Sequence, residues 1–142
     1  MTVRQIIEPA AAALAAISAT DEDIERIGAA YARMEDAPTA DALLEPDLAF
    51  HRAIMSATHN DMLAYIGNML SLALSESIKL TSCHPNTHSL SLPRHKAIFT
   101  AIVHHDALVA HQASVVQLDN ARADANSILG GGPLEPDRPF SR

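Results

Sequence analysis

The chain has 142 residues, of which 48% are hydrophobic and 19% are charged. These values exclude an intrinsically disordered chain and fit one globular domain with its own core. The formal net charge is −7, and no basic stripe offsets it, so the chain as given is a poor candidate to hold nucleic acid by itself. The single cysteine, Cys83, excludes an internal disulfide framework and a four-cysteine zinc site.

Alanine and leucine at helical spacing, with few aromatic or β-branched runs, predict an all-α fold of six helices. The first helix covers about Val3–Ser18, and we expect Pro9 to kink or restart it. Thr20 and Thr39 are the predicted N-caps of the second and third helices. Pro46 falls within the third helix, which is therefore expected to be kinked at this residue or to begin there.

The second half of the chain is divided by polar and glycine-rich segments. The predicted boundaries are an Asn60 cap for the fourth helix, a polar loop over Cys83–Ser91, a fifth helix from Ser91 or Pro93, and a sixth from the Asp106 cap to Leu129. Three glycines then end the sixth helix. We therefore expect a helical domain at residues 1–129 and a Gly/Pro-rich tail at 130–142.

No segment of the sequence suggests a membrane span or a cleaved targeting signal. No stretch approaches the roughly 18 apolar residues that a membrane-spanning helix needs. The alanine-rich start is interrupted by Glu8 and Pro9, and no cleavage pattern follows. With one cysteine, these features predict a cytoplasmic protein.

Asp47 and His51 are four residues apart, so they share one face of the predicted third helix. That face carries Leu44, Leu48 and Met55 and is therefore the apolar one. A carboxylate and an imidazole that face a core need partners, because an unpaired buried charge is costly. They either pair with each other or both bind a metal.

His95 faces inward by the same reasoning, because Ile98, Phe99 and Ile102 follow it at helical spacing. Alone it would more often be a core histidine bonded to a carbonyl oxygen. Asp47, His51 and His95 together make a candidate site of two imidazoles and one carboxylate, open to water or a ligand. Mixed nitrogen and oxygen donors suit a divalent transition metal, zinc first, with nickel, manganese or iron as alternatives.

Arg4 lies one turn before Ile7 and Ala11, on the inner edge of the first helix. A guanidinium at this position can hold a carboxylate through two parallel hydrogen bonds. The competing interpretation is a salt bridge to Glu8, four residues further along the same helix. The residues alone favour that salt bridge.

Several segments form an ordered, spaced series along the chain. They are Val3–Ala16, Asp47–Ile54, His59-Asn60, His95–Ile102, Asp106 and Ala110. In this order and at this spacing they resemble the ligand-binding FCD domain of FadR-type GntR transcription regulators. The resemblance covers about Val3 to Leu129, and it is strongest toward regulators of sugar-acid operons.

The resemblance implies an antiparallel bundle of six or seven helices that forms a homodimer and binds a small carboxylate effector. In the family an aspartate and three histidines often hold a metal, and Asp47, His51 and His95 match the first three positions. The fourth position, twenty-two residues past His95, is Gln117 here, and its oxygen is a weaker ligand than imidazole. The metal is then held by three residues plus effector and water, bound loosely, or absent.

Two further positions match residues that the family uses for its effector. Arg4 matches the carboxylate-binding arginine, and Ser91 matches a position where relatives often place a hydroxyl near the effector. The family also carries an N-terminal winged helix that reads DNA, whereas this chain starts at the first bundle helix. We therefore expect contact with DNA only through a domain that is missing from this chain.

The leading hypothesis is an effector-sensing and dimerisation domain of a transcription regulator, without enzymatic activity. One alternative is a small metal-dependent enzyme that acts on a hydroxy acid. The sequence offers it no nucleophile elbow, phosphate loop or paired-histidine protease motif. The other alternative is a purely structural dimerisation bundle, which Gln117 keeps open.

Overall fold

The computed structural model describes residues 3–82 and 87–132, and all regular structure within these ranges is helical. Six helices follow one another: α1 (Val3–Ser18), α2 (Asp21–Glu35), α3 (Ala40–Ala57), α4 (Asp61–Ser82), α5 (Thr87–Val103) and α6 (Ala107–Leu129). The prediction of an all-α bundle is confirmed. No helix among the described residues is both long and apolar enough to cross a membrane.

Side-chain caps begin four of these helices, as the sequence predicts. At α2, the Thr20 hydroxyl accepts a hydrogen bond from the Asp23 backbone N–H at 3.2 Å, and the Asp23 carboxylate accepts the Thr20 N–H at 3.0 Å. This reciprocal pair satisfies two backbone donors that the first turn would otherwise leave free. Thr39, Asn60 and Asp106 accept hydrogen bonds from the first turns of α3, α4 and α6.

Most helices pack against their neighbours in the chain, and the first helix packs against the last. Helix α2 packs on α3, α3 on α4, and α5 on α6. Their connections have only three or four residues, so neighbouring helices run antiparallel. Helix α1 packs chiefly against α6 and also touches α3 and α5. These contacts of α1 place α1, α3 and α5 around one shared interior.

The core combines small residues on α1 with large apolar side chains on the other helices. Ala11, Ala12, Ala15 and Ala16 are buried on one face of α1, and their small side chains let the neighbouring helices approach closely. The largest apolar side chains that are fully buried are Phe50, Ile27, Met34, Leu43, Ile98 and Ile102. The interior is therefore dense around Phe50, which stands beside the polar cluster described below.

The prediction of a polar loop over Cys83–Ser91 is wrong in its second half, because α5 already begins at Thr87. The His88 ring donates a hydrogen bond from Nε2 to the Met34 carbonyl oxygen at 2.9 Å. This contact with α2 holds the first turn of α5 in place upstream of Pro93. Cys83 lies outside the described residues.

Prolines stand inside three helices without ending them. Pro9, Pro46 and Pro93 lie within α1, α3 and α5, so the predicted restart at Pro9 and start at Pro46 do not occur. Each proline removes one helical hydrogen bond. Each also lies within two residues of a buried polar side chain of the site. The end of α6 at Leu129 agrees with the prediction.

Candidate metal and effector site

Asp47, His51 and His95 converge inside the bundle from two helices. Asp47 and His51 stand on successive turns of α3, and His95 stands on α5. His51 Nε2 lies 3.2 Å from Asp47 Oδ1 and 3.3 Å from His95 Nε2. His95 Nε2 lies 3.8 Å from the same oxygen, and all three residues are buried. One carboxylate oxygen and two imidazole nitrogens thus form a compact donor set that a transition metal could use.

The other nitrogen of each ring faces a hydrogen-bond acceptor. His95 Nδ1 donates to the Ser91 carbonyl oxygen at 2.8 Å, and His51 Nδ1 lies 3.3 Å from Glu8 Oε2. A carbonyl oxygen can only accept, so His95 Nδ1 carries a proton, and the Glu8 carboxylate favours a proton at the same position of the His51 ring. The Nε2 atoms are therefore the nitrogens that can bind a cation, and they face each other.

The three groups shift one another's protonation. Burial lowers the pKa of His51, but Glu8 and Asp47 outweigh burial and leave that pKa above its usual value. Burial lowers the pKa of His95, and Asp47 does not restore it. Burial raises the pKa of Asp47, but the two histidines bring it below its usual value. The two carboxylates thus favour the charged form of His51, whose Nε2 lies at the point where the three donors meet.

Glu8 joins this cluster to Arg4. Arg4 Nε donates to Glu8 Oε1 at 2.7 Å, and Arg4 Nη2 lies 3.5 Å from Glu8 Oε2. Glu8 is only 5% exposed. The Arg4–Glu8 salt bridge considered from the sequence is formed, and its carboxylate also reaches His51. Sequence reasoning did not place Glu8 in the site, although it is the only acidic residue of the alanine-rich α1.

Ser91 and Gln117 occupy different positions relative to the three donors. The Ser91 hydroxyl lies 3.1 Å from His95 Nδ1, so Ser91 contacts the back of a donor ring. Gln117 is buried on α6, and its Oε1 has no hydrogen-bond partner among the described residues. A buried carbonyl oxygen without a partner is unusual in a folded protein. Gln117 therefore offers an unused acceptor one turn after Ser114.

A small cavity opens between α1, α3, α5 and α6 beside His51. Its lining is partly polar and partly apolar: Glu8, Ala12, His51, Ile54, Met55, Ile98 and Ser114. Its volume is about 10 Å³, which is room for roughly one water molecule. A larger ligand would have to displace lining side chains, and Met55 is the most adaptable of them, because it is unbranched.

Phe50 separates the cluster from the apolar core. Its ring stands edge-on to His51 and His95, with centroids 5.7 and 5.2 Å away. On its other side it meets Tyr31 at 6.4 Å. Phe50 is fully buried, so this side of the imidazole pair is dry. A low local polarity strengthens the interaction of the donors with any cation between them.

Comparison with known proteins places the chain in a family. The FCD domain model matches residues 1–120. The chain belongs to the FCD domain family. This confirms the resemblance to the ligand-binding domains of FadR-type GntR regulators, which rests on segments around Asp47, His51 and His95. It also fits the bundle of antiparallel helices described above.

Two curated relatives of this FCD domain are transcriptional regulators, and neither is an enzyme. The galactonate operon transcriptional repressor of Escherichia coli (strain K12) is 30% identical over 118 residues, which are 82% of this chain and 52% of the relative. The HTH-type transcriptional regulator LutR of Bacillus subtilis (strain 168) is 30% identical over an alignment of 126 residues, and the match covers 84% of this chain and 58% of the relative. The chain spans about half the length of these curated relatives.

A solved structure supports the same architecture for the FCD domain. The Streptococcus agalactiae GntR protein matches with a TM-score of 0.72 and 24% sequence identity. The match covers 85% of this chain and 56% of that one. At this identity the similarity shows a shared fold.

Proposed function

We propose that this FCD domain senses a small carboxylate, a sugar acid or hydroxy acid, at a divalent transition metal held by Asp47, His51 and His95. The observation that carries the proposal is the convergence of two Nε2 atoms and one carboxylate oxygen, while His95 Nδ1 donates to the Ser91 carbonyl and His51 Nδ1 faces the Glu8 carboxylate. Two imidazole lone pairs 3.3 Å apart repel each other unless a proton or a cation lies between them. Zinc is the metal we propose first, with nickel, manganese and iron as alternatives.

The donor set fits such a metal, and the surrounding charges fit an anionic effector. Glu8 and Asp47 supply two negative charges, which Arg4 and a protonated His51 offset. Exchange of the His51 proton for a divalent cation leaves the cluster with an excess of one positive charge. That excess favours a monocarboxylate, and a bound metal would add a Lewis-acidic contact for carboxylate and hydroxyl oxygens.

Arg4, Ser91 and Gln117 are the proposed residues around that effector. Glu8 uses two of the five N–H donors of Arg4, so the guanidinium retains three for a second carboxylate. The Ser91 hydroxyl adds a polar contact on the His95 side. Gln117 stands at the fourth position of the family's metal site, where its oxygen is a weak additional ligand or an acceptor for an effector hydroxyl.

In the whole regulator, the domain would pass effector binding to DNA binding. We propose a cytoplasmic homodimer in which DNA is contacted only by a winged-helix domain outside this chain. The effector would favour one of two dimer arrangements and so change the affinity for DNA. The name of the galactonate operon repressor supports a sugar acid as the first effector to test.

The test is calorimetric titration of the zinc-loaded and the metal-free domain with galactonate, gluconate, lactate and acetate. We expect at least one hydroxy acid to bind the zinc-loaded domain and to bind the metal-free domain at least tenfold more weakly. Arg4→Ala should weaken that binding at least tenfold. Arg26→Ala is the matched control, because Arg26 forms an exposed salt bridge with Glu22 at the same spacing.

Three results of this titration would contradict parts of the proposal. Equal effector affinity with and without zinc would show that the metal does not take part in effector binding. Unchanged effector affinity in Arg4→Ala would show that Arg4 does not bind the effector. Turnover of a hydroxy acid by the zinc-loaded domain, abolished in His51→Ala, would favour the metal-dependent enzyme instead.

A further inference from the structure

Glu8 is one buried carboxylate with two cationic or potentially cationic partners. Its Oε1 accepts from Arg4 Nε at 2.7 Å, and its Oε2 lies 3.3 Å from His51 Nδ1. The side chains of Glu8 and His51 are 5% and 8% exposed, and that of Arg4 is 20% exposed. These contacts join α1 to α3 at the level of the metal donors.

The contact with Glu8 offers neutral His51 a second acceptor for its proton. A neutral imidazole has one N–H, and each His51 nitrogen has a carboxylate in reach: Glu8 at Nδ1 and Asp47 at Nε2. Without Glu8, we expect the proton of neutral His51 on Nε2, because Asp47 Oδ1 lies 3.2 Å from this nitrogen. That form would turn an N–H toward the point where a cation must bind. With Glu8, the proton can stay on Nδ1 and Nε2 can present its lone pair.

Arg4 binds the other oxygen of this carboxylate. The guanidinium binds Glu8 side-on, through Nε and Nη2, which fixes the plane of the carboxylate. Because Glu8 is buried, Arg4 and His51 together offset the cost of its desolvation. Arg4 and His51 therefore contact the same carboxylate, and Glu8 connects a ligand bound at Arg4 to the metal donor His51.

We propose that Glu8 is a positioning residue that holds the His51 proton at Nδ1, turns Nε2 toward Asp47 and His95, and anchors Arg4 beside the same ring. This inference rests on the proposed metal site and adds a residue to it. Outer carboxylates of this kind typically change metal affinity 10- to 100-fold. Glu8 acts through His51 and is not itself a ligand.

The test compares two variants that differ only at Glu8. Arg4→Met removes the guanidinium and leaves His51 as the partner of Glu8. The double variant Arg4→Met/Glu8→Met replaces the buried ion pair with apolar side chains of similar size, an exchange that folded proteins often tolerate. Arg26→Met and Arg26→Met/Glu22→Met are the matched controls on the exposed pair of α2. Circular dichroism and thermal unfolding confirm that each variant is folded.

Two readouts are measured on every variant. The first is the zinc dissociation constant, obtained by competition with a chromophoric chelator. We expect Arg4→Met/Glu8→Met to bind zinc about 10- to 100-fold more weakly than Arg4→Met, and the two control variants to match the wild type. The second is the protonated nitrogen of His51 in the metal-free domain, read by long-range ¹H–¹⁵N NMR in mildly alkaline buffer. We expect Nδ1–H in Arg4→Met and Nε2–H in the double variant.

The outcomes separate this inference from the proposed function. Equal zinc affinity and the same His51 tautomer in Arg4→Met and the double variant would overturn the role of Glu8, even if the wild type binds zinc tightly. If the wild type binds no zinc, the proposed metal site is wrong, and the NMR measurement still tests the role of Glu8. A tautomer that changes with Glu8 would support its positioning role, and one that does not would overturn it.

Discussion

The close contact between α3 and α4 gives a quantitative prediction for Gly67→Ala. A Cβ added at Gly67 would lie 2.8 Å from both Cβ and Cγ of Met55. Real Cβ atoms do not approach so closely, and Met55 Cβ is fixed by the backbone of α3. The two helices would have to separate, and Met55 would shift at the wall of the cavity beside His51. Gly28→Ala is the matched control, because its Cβ would meet only the far end of the Phe99 ring, at 3.0 Å.

Both substitutions gain the same helix propensity, up to about 1 kcal/mol relative to glycine. At Gly67 this gain is opposed by overpacking, which typically costs about 1–3 kcal/mol. At Gly28 the half-buried Phe99 ring can move outward by a few tenths of an ångström. We therefore expect Gly67→Ala to be about 1–3 kcal/mol less stable than Gly28→Ala, which is roughly 3–9 °C in melting temperature for a domain of this size.

Urea unfolding followed by circular dichroism measures this difference directly. The free energy of unfolding should fall for Gly67→Ala relative to Gly28→Ala. The reasoning would be refuted if the two variants had equal stability, or if Gly67→Ala were the more stable. Either result would mean that α4 can move away from α3 without cost.

Three further predictions concern buried charges and the metal. Burial raises the pKa of Asp23, but hydrogen bonds from Thr20 and His59 leave that pKa below its usual value. Asp23 therefore stabilises the fold at pH values above its pKa in the unfolded chain. This stabilisation is lost as the pH falls through the pKa of Asp23 in the folded domain. Asp23→Asn should flatten the acid limb of stability against pH, and an unchanged limb in urea titrations would contradict the assignment. Asp124→Ala should cost at least about 1 kcal/mol, because it removes the carboxylate that lies 2.5 Å from buried Arg94; a smaller loss in urea unfolding would contradict that role. Zinc at 100 times its dissociation constant should stabilise the wild type by about 2.7 kcal/mol, and an equal gain in Asp47→Ala would place the metal elsewhere.

Most of the fold follows from local signals in the sequence. The four N-caps act within one turn of the chain, through side-chain oxygens such as those of Thr20 and Asp106, so residue type and position suffice to predict them. The end of α6 at Leu129 is also local, because the glycines after it favour termination. The start of α5 is different. The helix extends back to Thr87 with support from the His88 contact with α2, and no local signal reports such a contact.

The candidate site shows the same division between local and long-range information. Asp47 and His51 share a face by spacing alone, and the inward face of His95 follows from its apolar neighbours. Their convergence depends on how α3 packs with α5, which periodicity does not specify. The sequence presents Glu8 only as the local partner of Arg4, because its contact with His51 crosses from α1 to α3.

The central claim is that Asp47, His51 and His95 form a metal site despite Gln117 at the fourth position. It is tested most directly by elemental mass spectrometry of the domain purified without added metal, beside Asp47→Ala and the exposed control Asp41→Ala. The account predicts near one equivalent of a transition metal in the wild type and in Asp41→Ala, and loss of that metal in Asp47→Ala. Absence of metal from the wild type, or its retention in Asp47→Ala, would contradict it.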